Sequence, residues 1–192
     1  MIVITPVPGE VTGHAAQMYA DDVAEDGFVF AHTAALATNP EAHAAFENLL
    51  RAIVPSIGLR TYELATLGAA RAIPSPHCLL AHGRNVLRAD VLDEQTLAQV
   101  ARGDDSSLPA QDAAVVRYAE SLSTHPETMT DADTQELRDN GFDDRQIVDI
   151  TLAAAARNYL SRALRALAVP IDEVPGISPA LREALIGSRP LT

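Results

Sequence analysis

The sequence predicts an all-α fold, on the strength of three observations. Apolar residues recur at helical spacing, and no strand-like alternation of useful length interrupts them. Gly and Pro punctuate the chain between these stretches. Alanine is abundant while aromatics make up only 4% and Trp is absent, so small side chains let helices approach closely. A chain of 192 residues is the size of one domain. At 47% hydrophobic it can bury a real core, so residues 1–192 are read as a single helical domain.

The elements follow in order. Pro6 and Pro8 suggest an extended N-terminal arm over residues 1–10. Helical patterns run from Val11 to Ala24 and from Phe28 to Ala37, the second stopping at Asn39-Pro40. A third runs from Glu41 to about Val54, with Ala45, Leu49 and Ile53 on one stripe, and Gly58 ends it. The fourth, Arg60 to Ile73, is apolar on most sides and therefore central. Pro74-Ser75-Pro76 turns the chain straight into a fifth, with Ser75 as N-cap and Pro76 at the first helical position. Glu94 to Arg102 is short and closed by Gly103, and Pro109 opens the next helix. Thr130 and Asp133 make a capping box for a helix ended by Gly141. The last long helix spans about Asp144 to Ala168, and Pro170, Pro175 and Pro179 mark a partly extended tail over residues 170–192. The count is eight to nine helices, with an antiparallel pair at the centre and a core over about residues 40–125.

Charge and cysteine usage exclude several functions. Acidic residues outnumber basic ones 26 to 14, for a net charge of −12. Nucleic acid and anionic membranes are repelled by such a surface and are not expected partners. All 14 basic residues are Arg, which excludes Schiff-base chemistry through lysine. One cysteine makes no internal disulfide, and a reducing cytosol is its natural setting. The N-terminal stretch has no basic n-region followed by an apolar run, so it does not read as a signal peptide. No apolar run approaches the roughly 18 residues of a membrane span. A cytoplasmic location is expected.

The chemistry concentrates between Glu63 and His82. Cys78 and His82 are four residues apart on one helix and share a face. Cys78 lies in the first turn, where free backbone N–H groups and the helix dipole favour a thiolate, the nucleophilic form. Glu63 stands in an otherwise apolar helix and needs a partner. It lies about two and a half turns before the Pro junction and His82 about one and a half turns after it, so the two meet if the helices fold back on each other. Carboxylate, imidazole and thiol would then form a proton relay. The bland alternatives are a buried inert cysteine, an ion pair of Glu63 with Arg71 or Arg84, and a packing histidine.

The spacing Glu63-x11-Ser75-x-His77-Cys78-x3-His82 resembles the signature of the alkylhydroperoxidase D (AhpD)-like, or carboxymuconolactone decarboxylase, family. That signature is Glu-x11-Cys-x2-Cys-x3-His, often with His before the second Cys. The stretches ELATLGAARAI, CLLAHG, DAAVVRYAESL and GFDDRQIVDITLAAAARNYLSR resemble the family core and its peroxidase-related branch, from about residue 28 to 170. The resemblance implies an all-helical homo-oligomer, trimer or hexamer, with no metal and no organic cofactor. It implies that Cys78 attacks a peroxide while Glu63, His77 and His82 occupy the proton-relay positions. Ser75 stands where two-cysteine members carry their resolving cysteine. A sulfenate on Cys78 then needs an external thiol reductant, and disulfide reductase activity within one chain is excluded.

Two other readings remain open at this stage. A lyase related to carboxymuconolactone decarboxylase would use Glu63 and His82 and would display an Arg to an anionic substrate, with Arg71, Arg84 and Arg157 as candidates. A non-catalytic or zinc-binding member would use Glu63, Cys78 and His82 with a fourth ligand from His77 or a neighbour, although His77 projects about 100° away from Cys78 on an ideal helix. His14, His32, His43 and His125 show no mutual spacing for a metal and read as structural or exposed. Asn158, in an alanine run, reads as an internal hydrogen-bonding residue or a pocket residue.

Overall fold

The structure is a computed structural model that describes residues 4–187. The expected arm and tail therefore fall partly outside the described residues. Nine α-helices and one short 3₁₀ turn account for the regular structure, and no strand occurs among the described residues. They are α1 (Gly13–Asp26), α2 (Ala31–Leu36), α3 (Pro40–Ala72), α4 (Pro76–Arg88), α5 (Glu94–Ala101), α6 (Ala110–Thr124), α7 (Asp131–Asp139), α8 (Asp144–Ala166) and α9 (Pro179–Ile186).

Helix α3 is the axis of the fold. Its two predicted halves run as one element broken at Gly58, which adopts φ 75° and ψ 161°. Only glycine takes that conformation cheaply, and Pro55 just before it supplies no N–H to the ladder. Beyond the break, Tyr62 to Ala70 are all buried, as an all-round apolar pattern requires. Helices α4, α6 and α8 pack around this half. Gly68 lets α6 approach: a Cβ there would lie 2.6 Å from the Val116 carbonyl oxygen, a backbone atom that must move. Gly68→Ala is therefore expected to cost about 2 kcal/mol by overpacking, read as a lower urea midpoint with an unchanged slope.

Before the break the predicted stripe is displaced by one position. Ala45 and Leu49 are exposed, while Ile53 is buried and Leu50 packs against the core. A short pattern with apolar residues on adjacent faces does not choose between them, and the kink sets the choice.

The predicted caps are present for α7 (Thr130 with Asp133), and α8 carries a second box of Asp143 with Gln146. The tail differs from its prediction. Pro179 opens α9, Ser178 caps it by accepting from Leu181 N–H, and Leu181, Leu185 and Ile186 are buried. Leu185 reaches Gly83 of α4, where an added Cβ would stand 3.0 Å from its Cδ1. Proline here is an N1 residue rather than a breaker.

Candidate active site

The tight turn between α3 and α4 builds the site. Ser75 N–H donates to Ala70 C=O at 2.9 Å and closes the end of α3. Arg165 of α8 donates to the carbonyls of Ile73 and Pro74, a cation on the last free carbonyls of α3. Helix α4 then folds back along α3. Ser75 occupies the N-cap position, yet its side chain makes no capping hydrogen bond, and its buried Oγ has no partner among the described residues. Pro76 at N1 removes one of the donors a cap would otherwise serve.

The fold-back brings Glu63 and His82 together. Glu63 Oε2 lies 2.7 Å from His82 Nδ1, and both residues are buried. The Arg partners of the bland alternative for Glu63 are elsewhere. Arg71 pairs with Asp105 and Glu120, and Arg84 Nη1 donates to both carboxylate oxygens of Asp26. Burial pushes the His82 pKa below the usual imidazole range, and the Arg157 charge adds to this, against the opposing pull of Glu63. A neutral ring donating from Nδ1 to Glu63 leaves its lone pair on Nε2.

Cys78 is buried at 2% exposure and does not hydrogen-bond His82. Its Sγ lies 3.0 Å from Ser161 Oγ and 3.5 Å from Arg157 Nη1. The direct thiol–imidazole contact expected from the four-residue spacing is therefore replaced by contacts from α8. Arg157 and Ser161 are themselves four apart and present one face to the thiol. Arg157 Nη2 also donates to Tyr62 Oη at 3.1 Å, and the Tyr62 ring meets His82 edge-on at 6.0 Å between centroids. Burial alone would lower the Arg157 pKa, but the facing Cys78 and Tyr62 groups outweigh it and hold the pKa above normal. No carboxylate pairs with this guanidinium among the described residues, so a buried cation looks directly at the sulfur.

These groups share a cavity of about 230 Å³. Cys78, His82, Arg157 and Tyr62 line it together with apolar residues that include Phe46, Leu50 and Leu160. His77 lies at the edge, with Nε2 2.8 Å from the Pro170 carbonyl and a buried Nδ1 without a partner among the described residues. Its ring is thus fixed by the segment after α8 rather than solvated. His32 of α2 also lines this cavity, contrary to its reading as a bystander. Burial, joined by the nearby His77, His43, Arg157 and Arg84 charges, lowers its pKa to about 4. Asn158 does not line the cavity and donates to Ser123 Oγ and Ala154 C=O, the internal role. His125 is exposed, as expected.

Tyr62 and Ser161 were not visible as site residues in the sequence, and Arg157 was one of three undistinguished arginines. The signal for the α8 pair was its four-residue spacing within an alanine run.

No protein-family model and no curated protein matches the sequence. Solved structures do match. One is the AhpD core of an uncharacterized peroxidase-related protein from Ralstonia eutropha JMP134, with a TM-score of 0.77 at 20% identity over 89% of this chain and 92% of that one. Another is a protein of unknown function from Agrobacterium tumefaciens, named as an antioxidant-defence AhpD, with a TM-score of 0.60 at 27% identity over 71% of this chain and 96% of that one. A third is a Cys→Ala variant of the debrominase Bmp8 in complex with 2,3,4-tribromopyrrole, with a TM-score of 0.72 at 16% identity over 96% of both chains.

Proposed function

We propose that this protein, AhpD-like in fold and family resemblance, is a one-cysteine thiol peroxidase that reduces small hydroperoxides at Cys78. The observation that carries the reading is the buried Arg157 guanidinium, 3.5 Å from Cys78 Sγ and without a carboxylate partner among the described residues. A buried cation demands an anion, and of the two acidic groups Arg157 touches, Cys78 and Tyr62, the thiol is the intrinsically stronger acid. The cavity of about 230 Å³ is smaller than the roughly 300–1,000 Å³ of sites for drug-sized ligands, which suits a small substrate.

The reaction begins with attack of the Cys78 thiolate on one peroxide oxygen. An S–O bond forms, the O–O bond breaks, and the alcohol oxygen leaves with the electron pair and takes a proton. Arg157 balances the charge as it passes from sulfur to oxygen. His82, oriented by Glu63 and lining the cavity, is the proton carrier. Because it does not touch the sulfur, the proton travels through the substrate or a water. Cys78 is left as a sulfenic acid. An external thiol attacks it, expelling water and leaving a mixed disulfide, and a second thiol releases Cys78. Ser75 forms no disulfide, and no metal or organic cofactor enters the scheme. His77 acts as a positioning residue on the cavity edge.

Arg157→Met tests this. With a sulfenate-trapping reagent and intact-mass detection, the parent acquires one adduct per chain on peroxide addition. The variant is expected to acquire it roughly tenfold to a hundredfold more slowly at neutral pH. Equal rates would remove the reading. A halogenated aromatic is the informative alternative substrate, since debrominase structures share the fold.

A lyase reading is favoured by one observation, that Arg157 reaches the cavity where an anionic substrate would need it. It makes Cys78 incidental. The proposal also includes a homo-oligomer, trimer or hexamer. Val148, Leu152 and Tyr159 of α8 share an outward face and are 56%, 41% and 61% exposed, an apolar stripe that a second copy would cover. No described helix is long and apolar enough to cross a membrane. The cytosol supplies the thiol pool that the cycle needs, and we place the protein there.

A further inference from the structure

His14, His43 and Glu47 meet at the outer wall of the cavity, and the chemistry above uses none of them. His14 comes from the start of α1. His43 and Glu47 are four apart on the first half of α3 and share a face. His14 Nε2 lies 3.0 Å from His43 Nδ1 and 3.6 Å from Glu47 Oε2. One ligand atom from each residue lies within 4.8 Å of the other two.

We propose that this trio binds a divalent transition metal of the zinc class, with a water in the fourth position. A tetrahedral zinc with bonds of about 2.0–2.1 Å sets its ligand atoms roughly 3.3–3.4 Å apart. The separations of 3.0 and 3.6 Å bracket that spacing, so the side chains need only small adjustments. Two imidazoles and one carboxylate suit zinc and its neighbours, whereas Mg²⁺ and Ca²⁺ require oxygen ligands. The protonation balance is simple. The two facing nitrogens share one proton, and the metal takes its place. His14 Nδ1 and His43 Nε2 make no hydrogen bond within the described residues, so the displaced proton moves to the far nitrogen of its own ring. Both imidazoles stay neutral, and Glu47 brings the negative charge.

The surroundings permit entry. His14 and Glu47 side chains are 30% and 33% exposed, so solvent reaches the trio. Glu47 Oε2 also accepts from Arg51 Nη2 at 3.1 Å, but Arg51 is 66% exposed, and such a surface pair yields easily. Helix α1 rests on a small apolar cluster of its own, Ala15, Met18, Tyr19 and Ala37. A metal would clip this helix to α3. His43 and Glu47 line the Cys78 cavity as well, so the clip would fix that wall without touching Cys78.

The test is titration of Zn²⁺ alone into the chelator-treated full chain, followed by calorimetry and by thermal unfolding. The parent is expected to bind one equivalent saturably, with an unfolding midpoint that rises with zinc concentration. Cys78→Ala should do the same, which separates this site from the thiol chemistry. His14→Ala should lose both the saturable binding and the thermal response while unfolding near the parent's temperature without metal. If His14→Ala fails to fold, Glu47→Gln on the same outer face serves in its place. Equal zinc binding by parent and variant, or no saturable binding by the parent, overturns the proposal. So does an equal response to Mg²⁺.

Discussion

Peroxide turnover in Cys78→Ala is expected to fall to the uncatalysed level, a loss of at least about a thousandfold, while Glu63→Gln keeps a measurable fraction. The two residues differ in kind. Cys78 supplies the electron pair: the neighbouring hydroxyls, Ser161 Oγ at 3.0 Å from the sulfur and Tyr62 Oη at 3.1 Å from Arg157, are far weaker nucleophiles toward a peroxide. Glu63 acts one step away. Its carboxylate receives the His82 Nδ1 proton at 2.7 Å, and a glutamine there still offers a carbonyl oxygen for that bond. Glu63→Gln therefore loses charge but keeps ring orientation, and a tenfold to hundredfold fall of the kind seen for groups that support a reacting residue is expected (about 1.4–2.8 kcal/mol). Initial rates of hydroperoxide consumption with a small thiol measure both. Cys78→Ser is the companion variant, since it keeps the side-chain volume in a pocket with only 2% exposure. The opposite pattern, activity indifferent to Cys78→Ala and abolished by Glu63→Gln, would sink the peroxidase and support the lyase.

The parts of this site that sequence reasoning reached are those governed by local periodicity. The four-residue spacing of Cys78 and His82 and the Pro turn after Ile73 are short-range facts. Helical geometry carries them directly to a shared face and a fold-back onto Glu63. The same geometry could not show that Cys78 would turn toward α8. Arg157 and Ser161 lie 79 and 83 residues further along the chain, and which α8 face meets α4 depends on how both pack on α3. The result changes the chemistry: the sulfur's charge partner is a guanidinium, and the imidazole stands apart with its carboxylate. The His14–His43 contact was hidden for a related reason, because 29 residues separate the two and α1 reaches α3 only through tertiary docking. Helix α9 was missed through a local ambiguity. Pro179 reads as a breaker in a proline-rich stretch, and only Ser178 immediately before it signals a capped helix.

His32 gives the largest expected effect on stability. Unfolded, its imidazole takes a proton below about pH 6.5, and folded only below about pH 4. Burial beside Phe30 and at the cavity wall is the main cause, and positive charge on the groups facing it, His77, His43, Arg157 and Arg84, adds to it. Between those two values the unfolded chain binds more protons, so its population grows as pH falls. The stability tied to a neutral His32 is complete above pH 6.5 and is lost progressively toward pH 4. Two and a half units correspond to about 3 kcal/mol as an upper figure, because partial exposure of the ring softens the penalty. His82 and His43 are lowered in the same direction, so they steepen the same decline. Urea unfolding in chelator-containing buffer, followed from pH 7 to pH 4, should show a shallower fall for His32→Gln than for the parent. The two curves should cross, with the variant equal or weaker at neutral pH and stronger near pH 4. Parallel curves would mean that His32 accepts its proton without cost. The cavity wall would then tolerate another positive charge beside Arg157, and the argument that this cation calls for a thiolate opposite it would lose its force.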